Sequence, residues 1–498
     1  MSELPNTWMQ ESMGALVVLN EKIRNIEVDV DCGFVPMNLV PTKLLGKIQY
    51  EQKKWGDCKN GYTHFKDGDV LLAKITPCFE NGKSVLVSGL PNGIGTGSTE
   101  YFVLRSELLD SRYLHAFVKT KQFKDDCTVR MTGSVGHKRV PKDYLLEYLI
   151  PVAPLNEQIR IANKLDSVLA KVDATQARLE KIPTLLKRFR QSVLAAATSG
   201  ELTREWREEN LPFGQDNSAN EVIQRIQDKK LAWINENSQH NEVSRVKKRV
   251  HAFLANSRIE TTCLPDSWVW AKLEDVVLMV VDCHNKTAPY EDSGIELVRT
   301  TNIRDGRFIW EDIRYISEAT YQYWSKRCLP EPGDVIFTRE APMGEAAIIP
   351  VGAKICLGQR TMLFRPIEDQ LSAKFLLIVL MDPSFRERSE NIAVGTGVKH
   401  YRVGDVSELN IPVPSSDEQT EIVRRVESLF ALADTVEKQY LAAKQRLDRL
   451  SQSILAKAFR GELVPQDPND EPAAELLKRI QAERQAQPAA NRKRSKSA

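Results

Sequence analysis

The eight cysteines of this chain form no CxxC pair, no apolar run reaches membrane-spanning length, and neither sign of charge dominates. Scattered cysteines without paired spacing argue against a zinc site and fit reduced thiols in a cytosol. Cys283-His284 is the nearest Cys/His pair, but adjacent side chains point apart, so it is not read as a metal site. With no long apolar run and no secretory pattern at the N-terminus, a cytoplasmic protein is expected. A formal net charge of +2 and a pI near 8.0 neither require nor exclude nucleic acid. A DNA binder with this balance must gather its basic residues on one face.

Catalytic signatures are also missing. Asp382-Pro383-Ser384 and Asp467-Pro468-Asn469 both fail the Asp/Asn-Pro-Pro-aromatic pattern of amino-methyltransferases, and no H-E-x-x-H or G-x-S-x-G occurs. Gly82-Lys83-Ser84 matches the end of a phosphate loop, but Pro77 replaces the first glycine and a strand is expected to follow. The backbone cradle and helix N-terminus that hold phosphate are then lacking. The glycines at 93, 95 and 97 do not have dinucleotide-loop spacing and read as a flexible turn.

What is present is a repeat. Residues 150–203 and 411–464 align without a gap at an offset of 261, sharing IPV, EQ, QS-x-LA-x-A and GEL. Leu165, Val168, Val172, Thr175, Leu179, Ile182, Leu186, Phe189 and Val193 fall on one heptad seam. The second copy places Val426, Leu429, Ala433, Val436, Tyr440, Ala443, Leu447, Leu450 and Ile454 on the matching seam. Apolar seams with charges between them are the pattern of coiled-coil helices. A helix from 165 to 193 is about 43 Å long at ~1.5 Å per residue. Pro183 predicts a kink or restart near Ile182, whereas Lys444 lets the second copy run straight. The two seams are expected to pair within the chain; packing of each helix on its own domain, or pairing between chains, are the alternatives. Antiparallel pairing would relate the halves by an approximate twofold axis.

The repeat extends outward. Leu4-Pro5-Asn6-Thr7-Trp8 answers Leu264-Pro265-Asp266-Ser267-Trp268, and each opens about 140 residues of mixed structure. Trp8, Trp268 and Trp270 are read as core anchors. A Gly-Asp-Val turn feeds a strand at 66–71 and at 331–336. Strands follow at 84–88 and 100–104, and at 346–351 and 361–365. Helices follow at 111–127 and 372–391, the latter broken at Pro383. Each segment then carries a Thr-Gly loop (TGSVGHKR at 132–139, TGVKHYR at 396–402) and closes with a strand into IPV. The helices diverge less than the domains between them, as expected of a constant scaffold carrying two different readers.

The expected fold is α+β: two α/β domains joined by two long helices. Domain boundaries are placed at 1–150, 151–210 (central helix), 211–262 (polar linker with one amphipathic helix at 220–234), 263–411, 412–485 (C-terminal helix region) and 486–498 (disordered basic tail). RIQ at 225–227 recurs at 479–481.

Candidate DNA contacts are basic or amide residues on short loops. Arg299, Thr301, Asn302 and Arg304 combine guanidinium, hydroxyl and amide groups that pair with base edges. Lys74 and Arg339 stand at matched positions after the Gly-Asp-Val turns. His137, Lys138 and Arg139 crowd the first Thr-Gly loop, and Lys399, His400 and Arg402 crowd the second. Lys83 joins this set. Glycine-rich basic loops suit close approach to a phosphate backbone. Arg339 and Asn302 are expected to set the second half of the target. The charge runs 187–190 and 245–249 are read as solvated helix faces.

The repeated helices, above all KLDSVLAKVDATQARLEKIPTLLKRFRQSVLAAATSGELTREWREEN, DEQTEIVRRVESLFALADTVEKQ and LSQSILAKAFRGELV, resemble the specificity subunits of type I restriction–modification systems. The likeness covers nearly the whole chain, and the central and C-terminal helices look like those of the enterobacterial IA group. It implies that each α/β variable domain is a target-recognition domain reading one half of a bipartite DNA site, and that the helices form an antiparallel intramolecular coiled coil, set the spacing and dock modification subunits. It implies a non-catalytic chain. Two modification subunits would supply adenine-N6 methylation with S-adenosylmethionine, and two motor-nuclease subunits would supply ATP- and Mg-dependent translocation and cleavage. No cofactor or metal is expected on this chain itself. The competing readings are a self-contained DNA-modifying enzyme and a coiled-coil structural protein without sequence preference.

Overall fold

The computed structural model describes residues 4–106, 109–134, 136–210, 218–255, 264–284, 286–395 and 399–486. The chain divides into two compact units, one built from residues 1–181 with 440–498 and the other from 182–439. The division runs through the helical repeats rather than at their ends, so each repeat contributes one half to each unit. The sequence-derived boundaries at 150 and 411 follow the chain; the packing does not.

The first helical repeat is Leu155–Leu179, a break, and Ile182–Thr198. The restart falls where Pro183 cannot donate to the preceding turn. The second repeat is one uninterrupted helix, Ser416–Ala458. In the 182–439 unit the two repeats run antiparallel: Arg425 Nη1 donates to the Leu202 carbonyl at 2.8 Å, while Arg190 Nη2 reaches Asp434 at 2.7 Å and Glu437 at 2.8 Å. The seam is buried toward the helix ends, at Leu186, Val193, Val426 and Ala433 here and at Leu165 and Val172 in the other unit. Leu179, Tyr440 and Leu447 are only half-buried. Leu169 is buried beside Leu165, whereas Val168 is not, because the helix turns its i+4 face to the domain core.

In the unit of 1–181 with 440–498, one sheet has the order Val18–Leu19, Tyr101–Arg105, Val70–Ala73, Ser84–Leu86. A second has the order Glu51–Lys54, Asp31–Val35, Ile94–Gly97, Thr63–Lys66. Of the glycines expected to make a flexible turn, Gly93 does stand in a turn at positive φ, whereas Gly95 and Gly97 lie in the central strand Ile94–Gly97. A Cβ on Gly97 would sit 2.3 Å from the Val35 carbonyl oxygen, so only glycine admits the neighbouring strand so closely. The helix expected at 111–127 is split in two, with the Thr120 hydroxyl accepting from the Phe123 amide to cap the second part.

The 182–439 unit repeats the first sheet as Met279–Asp282, Thr361–Arg365, Val335–Thr338, Ala346–Ile348. Its second sheet has three strands, Arg314–Ile316, Ile295–Val298 and Ile355–Leu357. Pro383 opens a new helix after Ala373–Met381, as expected. The segment read as a polar linker carries two helices, Ser218–Glu236 and Val243–Ala255, the second not anticipated. Ala219, Val222 and Ile223 pack in the Trp268 core. Ala473 and Leu477 of the C-terminal helix pack in the Trp8 core, so the RIQ helices play the same part in both units. The basic tail beyond residue 486 lies outside the described residues.

The shared motifs meet at one buried node per unit. Trp8 Nε1 donates to Glu157 Oε2 at 3.0 Å, and Gln466 Nε2 donates to Oε1 at 2.6 Å. Trp268 Nε1 donates to Glu418 Oε2 at 2.8 Å, while Thr203 Oγ1 and Arg207 Nη1 donate to Oε1 at 2.7 and 2.5 Å. The next residues, Gln158 and Gln419, accept from the Asp110 and Ser372 amides at 2.9 and 3.0 Å. The GEL glycines, Gly461 and Gly200, have positive φ; a Cβ on either would lie 2.4 Å from Pro5 Cγ or Pro265 Cγ, respectively. Strand pairs Met9–Ser12 with Leu149–Val152, and Val269–Lys272 with Asn410–Val413, close each domain onto its helix.

Replacing Glu418 by Ala leaves Trp268, Thr203 and Arg207 without their shared buried acceptor. The expected loss is ~3–5 kcal/mol, the range for breaking a buried pair by removing one partner. Trp268→Phe removes a single donor to a charged group and should cost about 1–3 kcal/mol. Urea denaturation of the full chain, read by hydrogen exchange across residues 264–276, checks both values.

Candidate nucleic-acid interface

At one end of the main sheet in each unit, three chain segments are held together by backbone hydrogen bonds. In the unit of 1–181 with 440–498, the Lys74 amide donates to the Glu100 carbonyl and the Lys74 carbonyl accepts from Val140, both at 2.9 Å. The Thr76 amide donates to the Lys138 carbonyl at 2.9 Å, and the Lys138 amide returns to Thr76 Oγ1 at 3.1 Å. This places Lys74, the cis Thr76-Pro77 turn and the Thr-Gly loop with His137, Lys138 and Arg139 side by side. In the 182–439 unit, the Arg339 amide donates to the Arg360 carbonyl at 2.9 Å and its carbonyl accepts from Tyr401 at 3.1 Å. The cis Ala341-Pro342 turn and the loop with Lys399, His400 and Arg402 adjoin it. The frame below is also duplicated: Arg105 grips Asp69 through two bonds of 2.7 Å, and Arg365 grips Asp334 at 2.8 and 2.7 Å.

On this common frame the side chains differ. Glu100 faces Arg139, which donates to it from Nε at 2.9 Å and Nη2 at 2.8 Å. That guanidinium holds the Glu100 carboxyl below the usual carboxylate range. At the corresponding place before the next strand stands Arg360, exposed and paired with Glu340 at 2.9 Å. The same position is thus acidic in one unit and basic in the other. Neither Glu100 nor Arg360 stands out from sequence alone. The signal available was their matched place immediately before the strands ending in Arg105 and Arg365.

Several expected contacts are placed otherwise. Asn302 is 2% exposed; its Oδ1 accepts from the Arg299 amide at 3.2 Å and its Nδ2 donates to the Ile309 carbonyl at 3.1 Å. This corrects the reading of Asn302 as a base-edge contact, because both amide groups are engaged inside the loop. Arg299 Nη2 donates to the Asp312 carbonyl at 2.6 Å, and Arg304 Nη1 folds back onto the Thr300 and Ile303 carbonyls at 2.9 and 2.6 Å. Both brace the 299–313 loop, and Thr301 is left exposed on it. The Lys83 ammonium is bound to the Met37 carbonyl at 2.8 Å rather than standing free. Arg339 is half-buried; its Nη1 lies 3.4 Å from the Tyr401 carbonyl and its Nε has no protein partner among the described residues. Among the described residues no group of His, Cys, Asp and Glu has the arrangement of a metal site, and no helix is long and apolar enough to cross a membrane.

A family model, the type I restriction modification DNA specificity domain, matches residues 53–184 and 265–444. The chain therefore belongs to the type I restriction–modification specificity family, and it is a non-catalytic, DNA-specificity subunit of that kind of enzyme. It is 35% identical to the EcoBI specificity subunit of Escherichia coli over 71% of this chain and 68% of that one. It is 27% identical to the E. coli EcoAI specificity subunit over 92% of this chain and 83% of that one. Among solved structures, a chain from a study of assembly and conformational transition in a type I R-M system superposes with a TM-score of 0.61 at 18% identity, covering 93% of this chain and 100% of that one. The HsdS subunit of Thermoanaerobacter tengcongensis gives 0.53 at 19% identity, covering 93% and 98%. At these identities the superpositions establish the fold.

Two substitutions separate reading from bracing. Arg360→Ala is expected to leave stability within about 0.5 kcal/mol, as for an exposed ion pair, while changing the sequence bound. Asn302→Ala should instead lower stability by roughly 1–3 kcal/mol through unsatisfied loop groups and leave sequence preference intact. Thermal unfolding alongside binding to a randomised duplex library distinguishes the two.

Proposed function

We propose that each unit reads one half of a bipartite DNA target through its loop-bearing sheet end, and that the paired helices set the number of unread bases between the halves. The observation that carries this is the duplicated frame with unlike side chains: Lys74, Glu100 and Arg139 on one copy, Arg339, Glu340 and Arg360 on the other. A shared backbone scaffold presents a similar shape to DNA, and different donors and acceptors on it select different bases. His137, Lys138, Lys399, His400 and Arg402 supply phosphate contacts around these readers.

In this reading the chain works with two modification subunits, which use S-adenosylmethionine to methylate adenine N6, and with two restriction subunits, which use ATP and Mg. The chain itself binds none of these cofactors, and the assembly acts in the cytoplasm. Solved relatives described in the context of type I assembly support the partnership.

Co-expression with the cognate modification subunit, followed by mapping of methylated adenines, tests the reading. A two-part motif with a fixed gap is expected, and robust methyl transfer by the purified chain alone would overturn it. Inserting one heptad into both helical repeats should change the tolerated gap or abolish modification. An unchanged gap would show that the helices do not set it.

A further inference from the structure

The helix Val243–Ala255 has no counterpart among the described residues of the other unit, and nothing in the DNA reading so far uses it. Val246 and Val250 are buried against Met279, Val281 and the neighbouring strands. It is pinned by ion pairs at its start and at its middle. Near the start, Glu242 accepts from Arg327 at 2.9 Å, and Arg327 also pairs with Asp282. At the middle, Arg249 reaches Asp275 and Glu408 at 3.0 Å each, and Glu274 at 2.5 Å. Asp282 closes the strand Met279–Asp282, and Asp275 precedes it. The helix therefore lies along this edge strand with its first turn at the sheet end that carries Arg339 and Arg360. That end is identified by Cys283, whose amide donates to the Thr361 carbonyl at 3.2 Å and whose sulfur accepts from the Arg360 amide at 3.0 Å.

Once Arg249 is anchored inward, the remaining cations of the run face solvent. Arg245, Lys247, Lys248 and His251 are exposed. Arg245 lies 4.0 Å from Glu242; among the described residues Lys247, Lys248 and His251 have no carboxylate partner. A face of three exposed cations, of which only Arg245 lies near a carboxylate, continuous with the reading end and held rigid by a buried apolar stripe, is complementary to a polyanion at that end. Among the described residues, the side chains of Arg245, Lys247 and Lys248 reach no carbonyl or amide that would order them toward base edges. We propose that this helix face is a sequence-independent contact for DNA phosphates flanking the half-site read by the 182–439 unit. The proposal rests on the DNA reading above and extends it: one half of the target is gripped over a longer stretch of backbone than its base-reading loops span. In sequence, the basic stretch NRKRSK at 491–496 also follows an RIQ helix, as SRVKKR does at 244–249.

The test uses the full chain in complex with its modification subunit and two duplexes, one carrying the mapped target and one with the read bases scrambled. Binding is measured between about 50 and 200 mM salt for wild type, R245A/K247A/K248A, and the charge-keeping R245K/K247R/K248R. The alanine variant should flatten the slope of log affinity against log salt by about 2–3, near 0.9 per lost phosphate contact. The loss should be equal on both duplexes, with the methylated sequence unchanged and hydroxyl-radical protection shortened only beyond the second half-site. The charge-keeping variant should restore the slope. If wild type discriminates the duplexes but the alanine variant keeps its slope and footprint, the helix contact is refuted and the DNA reading stands. A wild-type complex that does not discriminate them removes both.

Discussion

Each unit depends on a buried carboxylate that accepts from a tryptophan indole. Glu157 and Glu418 lie in the first turns of the helical repeats, and Trp8 and Trp268 stand just before the first strand of each domain. Desolvation pushes the Glu157 carboxyl up from its ordinary value, so its hydrogen bonds from Trp8 and Gln466 are what make a buried acid tolerable there. Around this bond the domain start, the domain end and the helix are tied at one point. The neighbouring Gln158 and Gln419 extend the tie to the amides opening the next helices. The conformational demands on Gly200 and Gly461 come from the same place, where a proline ring of the LP motif packs on the chain leaving a helix.

With the joint constant, the loops at the far end of each sheet are free to differ. The Asp69–Arg105 and Asp334–Arg365 pairs hold the Gly-Asp-Val turn to the adjacent strand in both units. Above them a carboxylate on one copy is replaced by a guanidinium on the other, at Glu100 and Arg360. A scaffold that fixes backbone position while leaving side-chain chemistry open is what recognition of two unlike half-sites requires, because hydrogen-bond pattern at base edges carries the sequence information.

Much of this was legible beforehand. The repeat, the restart at Pro183, the break at Pro383 and the anchoring role of Trp8 and Trp268 follow from spacing and residue type, since they rest on local backbone rules and burial periodicity. The readings that fared worse depend on long-range packing. Asn302 looked like a base reader because its neighbours are polar, and it is a loop brace because the carbonyls of 309 and 311 fold over it. Gly95 and Gly97 looked like a turn because glycine favours turns, and they are a strand because a neighbouring strand passes too close for a side chain. The helix Val243–Ala255 was hidden by its charges; Val246 and Val250 enter one core, and Phe253 packs half-buried against another.

Sequence by itself determined the duplicated architecture, because matched motifs at a constant offset demand matched local structures whatever their surroundings. It also determined the family. Tertiary structure alone decided which of the basic residues are available. Arg249, Arg304 and Lys83 carry the same charge as Lys247, Lys248 and Lys138, yet the first three are held by carboxylates or carbonyls and the last three stand exposed at the surface. Charge is a property of the residue, whereas the partners competing for it are set by segments far away in the chain.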